Sequence, residues 1–250
     1  MNPYRDAFYS RQAEWHGYAG PEDVRRRHEQ RIPYYSWYTR GWLDLPRNTP
    51  ILDIGCGSGQ FLYFLRSLGF TDTVGIDLDS RQVEIGRSLG LDCRNVPAGD
   101  FLEAMGSQGK SFGLIALLDI IEHFTRAELF PFLEAVVSRL RPGGSLLMSV
   151  PNAESPRGLT LLYADITHEL AFTPVSFGEL MLCHGLMNLQ IRDPWPAPVC
   201  PSRRVYRAVV GAARAIEAAR LRLLGLEPPR NWSPVIWALA KKPAADPPSH

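Results

Sequence analysis

Two histidines stand among acids in a way that suits proton transfer near neutral pH. His168 lies in Tyr163-Ala164-Asp165-Ile166-Thr167-His168-Glu169, with Asp165 in the same loop. An imidazole is the natural general base for a hydroxyl group, which holds its own proton too tightly to lose it unaided. The plain alternative is that Thr167 and His168 make only structural hydrogen bonds. His123 is the rival base. It closes Asp119-Ile120-Ile121-Glu122-His123, in which Asp119, Glu122 and His123 fall at i, i+3 and i+4 and share a face if the segment turns helical. Two carboxylates and an imidazole would also suit a magnesium- or zinc-like ion; the plainer reading is that they organise the site without metal. His16, His28, His184 and His250 are expected to be surface or partly packed residues.

A second group of residues suits ligand binding. Ile51-Leu52-Asp53-Ile54-Gly55-Cys56-Gly57-Ser58-Gly59 reads as a buried strand running into a glycine turn. Glycine allows a sharp turn and close approach of a ligand to the backbone. Asp77 ends the next strand, 22 residues beyond Gly55, a spacing at which a carboxylate can accept both hydroxyls of a ribose. Cys56 reads as a small turn residue, not a catalytic thiol. The turn is not the dinucleotide fingerprint G-x-G-x-x-G, because Gly59 comes one residue early. No lysine follows a tyrosine by four residues, which also speaks against a short-chain nicotinamide-dependent oxidoreductase.

The elements that must position these groups alternate. Strands are expected at 51–54, 73–77, about 92–96, 112–118 and 145–150, with helices at 60–68, from Ser80 to Leu89, and from Thr125 to Leu140. Such alternation predicts right-handed βαβ units and a mostly parallel, doubly wound α/β sheet. Before it, residues 21–45 read as one or two helices interrupted at Pro33. After it come a loop over 151–174, a helix from Ser176 to His184, a strand at 189–193, a long helix at 203–224 and a last strand at 235–240. The division is an N-terminal helical cap (1–47), a core (48–193), a basic helical insertion (194–232), and a last strand with a tail (233–250) whose final ten residues are expected to be disordered.

Taken together, these motifs resemble those of the class I S-adenosylmethionine-dependent methyltransferases, over roughly residues 48–195. Asp53 with Gly55, Gly57 and Gly59 resembles motif I, and Val74-Gly75-Ile76-Asp77-Leu78 the ribose-binding motif. Gly99-Asp100-Phe101 resembles the motif whose acid meets the adenine amino group. Leu117-Leu118-Asp119 through His123 resembles motif IV, and Leu140-Arg141-Pro142-Gly143-Gly144 the turn before strand five. The resemblance implies a seven-stranded sheet in the order 3-2-1-4-5-7-6, with strand seven antiparallel. It implies S-adenosylmethionine as cofactor, with Asp53, Gly55, Cys56, Gly57, Gly59, Asp77, Leu78, Asp100, Phe101, Leu118 and Asp119 around it. It also hangs the His168 loop over the carboxyl edge of the sheet, where the methyl group must lie.

Two acceptors are implied. The loop after strand five resembles a subgroup associated with sugar and polysaccharide biosynthesis, which implies a sugar or glycan hydroxyl, in one version carried on a lipid. The Asp119-x-x-Glu122-His123 grouping resembles the quinone-precursor O-methyltransferases, which implies a quinone precursor or other small aromatic metabolite. Tyr34, Tyr35, Trp37, Tyr38 and Trp42 either pack the first helix on the sheet or line an acceptor pocket. A non-catalytic cofactor-binding scaffold is disfavoured by intact Asp53, Asp77 and Asp119.

The 250 residues carry a net charge of +1, so no global basic field points to nucleic acid, and no Asn/Asp-Pro-Pro-Tyr/Phe motif follows strand four. The four cysteines have no C-x-x-C spacing, and reduced thiols are expected. Neither a signal peptide nor a run of 18 apolar residues is evident, so a cytoplasmic protein is expected. Charge is uneven: residues 201–250 hold nine basic and three acidic side chains. The 203–224 helix sets Val205, Val209, Ile216 and Leu223 largely opposite Arg204, Arg207, Arg214 and Arg222. Its apolar side either packs on the domain or on a second subunit, or lies on the anionic inner face of a membrane.

Overall fold

The segments Ile51–Ile54, Phe112–Leu118 and Ser145–Val150 are too apolar to leave either face in water. They become adjoining central strands, as expected of a sheet covered on both sides. The computed structural model describes residues 17–18 and 20–244. In chain order the elements are α1 (Pro21–Thr39), β1 (Ile51–Ile54), α2 (Gln60–Ser67), β2 (Thr73–Asp77), α3 (Ser80–Ser88), β3 (Cys93–Asn95), α4 (Ala98–Ser107) and β4 (Phe112–Leu118). A 3-10 turn (Ile121–His123) follows, then α5 (Arg126–Ser138), β5 (Leu140–Pro151), α6 (Gly158–Leu162), α7 (Pro174–Cys183), β6 (Met187–Arg192), α8 (Pro201–Leu223) and β7 (Val235–Lys241).

The strands form one sheet in the order β3-β2-β1-β4-β5-β7-β6. The first five are parallel, and β7 runs antiparallel to both β5 and β6. One face is packed by Phe101 and Met105 of α4, Leu133 of α5 and Phe177 of α7. The other is packed by Val24 of α1, Phe61 and Phe64 of α2 and Val83 of α3. This is the doubly wound arrangement, with ligands expected beyond the carboxyl ends of the central strands.

Several boundaries differ from the sequence reading. Helix α1 runs through Pro33 without a break; Pro33 is exposed, so water can satisfy the carbonyl that its ring leaves without a partner. Asp79, not Ser80, caps α3, accepting from the amides of Arg81 and Gln82. Thr173, not Ser176, caps α7 through a capping box, with Pro174 fixing the first helical φ. Helix α4 starts at Ala98, with Pro97 in the N-cap position. The Leu140–Gly144 segment lies within β5 as an irregularity, because Leu140 already pairs with Phe112. At the C-terminus, Lys241 is a strand residue and the Lys242 ammonium donates to the carbonyls of Val137 and Leu140, so the expected disorder does not begin there. The rest of that expected tail, 245–250, lies outside the described residues, as do His16 and the stretch read for a signal peptide apart from residues 17, 18 and 20.

Candidate active site

A cavity of about 1490 Å³ opens at the carboxyl ends of β1, β2 and β4, between these strand ends and α1. Its floor is the glycine turn. Gly55 and Gly59 take φ of 74° and 77°, values that suit glycine. A Cβ on Gly55 would lie 2.0 Å from the Ile120 side chain, and one on Gly59 would lie 2.5 Å from Leu91. The turn is fastened from β2. Asp77 accepts from the Gly57 amide at 2.8 Å through Oδ2 and from the Asp79 amide at 2.8 Å through Oδ1. It is fastened from α1 as well, by the His28 ring against the Ser58 carbonyl at 3.1 Å.

The carboxylates at this floor are electrostatically uncomfortable. Burial pushes the Asp53 carboxyl up to about 8, and the neighbouring Asp77 charge adds to the shift. Burial also raises Asp77, against the pull of the Asp79 and Gly57 amides. Two such groups side by side favour a cationic partner. Sulfonium and ammonium groups fit that requirement, and the glycine turn supplies backbone amides next to it.

A second cluster forms where the loop after β5 meets the 3-10 turn after β4. The Glu122 carbonyl accepts from the amides of Glu169 and Leu170, clamping the loop down. The Thr167 hydroxyl donates to Asp165 Oδ1 at 2.7 Å and lies 2.8 Å from His123 Nδ1. Burial works to raise the Asp165 carboxyl. The Thr167 hydroxyl and amide, with His123 and His168 nearby, outweigh it and hold the group below the ordinary range. His168 Nδ1 lies 3.0 Å from the Leu161 carbonyl, which can only accept, so Nδ1 carries the proton and Nε2 the lone pair. The two imidazole rings are 4.8 Å apart, and both line the cavity.

Asp119 closes the floor between the two clusters. It takes φ 56°, which is strained for a side chain other than glycine, and its Oδ1 accepts from the Ser149 hydroxyl at 2.7 Å. The side chain faces open cavity, yet the protein around it raises its carboxyl by desolvation. Glu122 is 1% exposed. Burial first, then the Asp119 charge, lift its carboxyl well above the usual range, and its Oε2 has no hydrogen-bond partner among the described residues.

Of the residues singled out in the sequence, Asp53, Gly55, Cys56, Gly57, Asp77, Leu78, Leu118, Asp119, His123, Asp165 and His168 all line this one cavity. Two do not. Asp100 sits exposed in the first turn of α4 and Phe101 is buried in the core, because α4 already begins at Ala98, and Pro97, Ala98 and Gly99 line the cavity instead. The metal-ligand grouping also differs. The atoms within 4.8 Å of one another belong to Glu122, His123 and His168, not to Asp119, Glu122 and His123, because the chain turns at Asp119 before any helix begins. The thiols of Cys56, Cys93, Cys183 and Cys200 are all unbridged.

Further residues complete the wall. His28 is buried, and burial lowers its basicity despite hydrogen bonds to Val24 and Ser58. Trp195 and Arg203 come from the insertion, and Arg31 from α1; Arg25 and Arg26, by contrast, pair with Glu22 and Asp23. The N-terminal aromatics divide between both expected roles. Tyr35 stacks on Phe64 with centroids 5.4 Å apart, Trp42 is buried, and Tyr34, Tyr35 and Tyr38 also face the cavity. The convergence of α1, the insertion and the strand ends is long-range and leaves no local sequence signal.

Comparison with known proteins fits this geometry. Residues 24–191 match the family model described as a methyltransferase domain. The chain is 30% identical over 111 residues to a ubiquinone biosynthesis O-methyltransferase from Bartonella tribocorum, a match covering 42% of each chain. The chain spans half or less of the length of the curated relatives it matches. A S-adenosylmethionine-dependent methyltransferase structure from Archaeoglobus fulgidus superposes with a TM-score of 0.58 at 20% identity, covering 89% of this chain and 95% of that one. A magnesium protoporphyrin IX methyltransferase from Synechocystis PCC 6803 with S-adenosylmethionine bound gives a TM-score of 0.51 at 12% identity, covering 88% and 82%. The glycine turn, the paired carboxylates and the sheet order agree with these matches: the chain belongs to the methyltransferase domain family.

Proposed function

We propose that the chain moves a methyl group from S-adenosylmethionine to a hydroxyl oxygen on a small aromatic acceptor, of the quinone-precursor type. The observation that carries this reading is the His168–His123 pair, 4.8 Å apart at the wall of a cavity large enough for cofactor and acceptor together, with His168 Nδ1 engaged by the Leu161 carbonyl and Nε2 left for an acceptor. When bound, the cofactor supplies an electrophilic methyl group. Asp53, Asp77 and the backbone of the glycine turn are the residues to hold it.

The chain's own part is to seat the acceptor, take its proton and keep water out. His168 Nε2 accepts the hydroxyl proton as the oxygen turns nucleophilic. The charge left on the imidazolium faces Asp119 and Asp165. His123 shares the pocket and is the residue to relay the proton onward. Tyr34, Tyr38 and Trp195 offer flat faces to a ring. A phenol, with a pKa of about 10 like tyrosine, is within reach of a histidine base near pH 7. An aliphatic alcohol is a far weaker acid. That difference, together with the similarity to ubiquinone biosynthesis O-methyltransferases, supports a phenolic acceptor.

The second reading is a sugar hydroxyl. It is supported by the form of the 151–177 loop and by the same aromatic faces, and Arg31 and Arg203 would suit an anionic group on such a sugar. A panel of acceptors with methyl-labelled S-adenosylmethionine separates them. Transfer to catechol-type phenols and not to nucleotide sugars or glycans supports the first reading; the reverse pattern replaces it with the second.

A further inference from the structure

Helix α8 is assembled inside out. On a globular protein the apolar stripe of a surface helix faces the body. Here the arginines do. Arg207 donates to the carbonyls of Pro194 and Pro196, and Arg214 binds the Asp193 carboxylate and the Trp195 carbonyl. No residue of α8 is buried. The apolar stripe therefore points outward, with Val205, Val209, Ile216 and Leu223 exposed at 66%, 61%, 72% and 88%. It runs about 27 Å along the helix at 1.5 Å per residue, with Ala212 and Ala219 filling the spaces between. Leu224 and Leu226, also exposed, extend it past the helix end. The plainer sequence reading, in which this side packs on the domain, does not hold.

Two observations say what covers the stripe. The first is charge. Helix α8 carries six arginines and one glutamate, and Glu217 is already paired with Arg220. Arg204 and Arg222 lie along one edge of the stripe with no acidic partner among the described residues. A second copy would bring arginine-edged stripes together, whereas anionic headgroups neutralise them. The second is position. Arg203, in the first turn of α8, lines the cavity, as do Asp165 and His168 of the loop after β5. That loop exposes its own apolar side chains, Leu159, Tyr163 and Ile166, at 73%, 80% and 71%. Two separate elements that expose apolar side chains thus each also contribute to the wall of one cavity.

We propose that α8 and the loop after β5 dock this chain on an anionic lipid bilayer, with the cavity mouth facing the headgroups. The surface is peripheral: no helix among the described residues is long and apolar enough to cross a membrane. The docking stands without the acceptor reading, though an acceptor carried in or on the bilayer would reach the cavity directly.

The test is co-sedimentation of the full chain, loaded with S-adenosylmethionine, with vesicles of phosphatidylcholine alone or mixed three to one with phosphatidylglycerol. Binding to the mixed vesicles, weakened by salt, and at least tenfold weaker for Val209→Glu/Ile216→Glu, is expected. Both substituted side chains are exposed, so unchanged thermal unfolding and cofactor binding confirm an intact fold. Sedimentation velocity on the same proteins reads self-association. No binding to the mixed vesicles, equal binding by the variant, or a dimer that the variant dissolves would each overturn the proposal, the last in favour of a second copy. No acceptor is needed, so this result is independent of what is methylated.

Discussion

Thr167 and His123 are joined by a hydrogen bond whose direction is fixed. The Thr167 hydroxyl has one proton, and it goes to Asp165 Oδ1 at 2.7 Å, the carboxylate being held ionised. At 2.8 Å from His123 Nδ1 the same oxygen can then only accept. His123 therefore carries its proton on Nδ1 and turns Nε2 to the cavity, as His168 does through the Leu161 carbonyl. Thr167→Val removes both the hydroxyl donor to Asp165, whose bond from the Thr167 amide remains, and the acceptor for His123. Turnover is expected to fall about 10- to 100-fold, the usual range for an orienting partner, with cofactor affinity unchanged by titration calorimetry. Unaltered turnover would remove the orienting role.

His168→Ala is expected to lower kcat by about 10²–10⁴-fold, the contribution typical of a general base, and to abolish the acidic limb of the pH–rate profile. His123→Ala should cost less if it only relays the proton. Equal profiles for the wild type and His168→Ala would transfer the role of base elsewhere.

Asp77→Ala removes a carboxylate that both lines the cavity and holds the Gly57 amide. Loss of charge-assisted hydrogen bonds of this kind costs about 1–3 kcal/mol, so S-adenosylmethionine should bind about 5- to 150-fold more weakly. An unchanged dissociation constant would exclude Asp77 from the cofactor site.

Asp53 sets a pH dependence with a definite sign. Its carboxyl is raised to about 8 in the folded chain, with burial as the first cause, and returns to about 3.9 when unfolded. The folded state holds the proton longer, so its contribution to stability is complete below about pH 4 and is lost as pH rises through 8. Binding of a cationic ligand favours the ionised form, so cofactor affinity should climb over the same range as binding releases less of a proton. Asp53→Asn should flatten both trends, read by thermal unfolding and calorimetry between pH 6 and pH 9. Trends identical to wild type would assign the effect to Asp77, Asp119 or Glu122, which shift in the same direction.

Glu122, His123 and His168 could ligate a metal by distance alone. The burial that lifts the Glu122 carboxyl well above its usual range favours the protonated acid, which ligates poorly. A chelator is therefore expected to leave turnover unchanged. Lost turnover restored by magnesium would make the cluster a metal centre.

The sheet and the cofactor floor were legible for physical reasons. Aliphatic runs such as Phe112–Leu118 fit only a strand buried on both faces, and Gly55, Gly57 and Gly59 with Asp77 make a turn whose chemistry is local. The caps were missed by one to three residues because Asp79 beside Ser80, and Thr173 before Ser176, offer the same oxygen. Asp100 was misplaced because α4 already begins at Ala98. The cluster of Glu122 with His168 depends on two main-chain bonds to Glu169 and Leu170 across a long separation, which no spacing rule encodes. The orientation of α8 escaped as well, because its partners are the carbonyls of Pro194, Trp195 and Pro196 in an irregular segment.

The most direct test of the account uses the purified chain, methyl-labelled S-adenosylmethionine and an extract from cells lacking the gene. The extract is then separated into quinone-precursor, nucleotide-sugar, lipid-linked glycan and protein fractions. Label is expected on an oxygen in the quinone-precursor fraction, lost with His168→Ala while the cofactor still binds. Label on nitrogen or carbon, or label that survives His168→Ala undiminished, would contradict it.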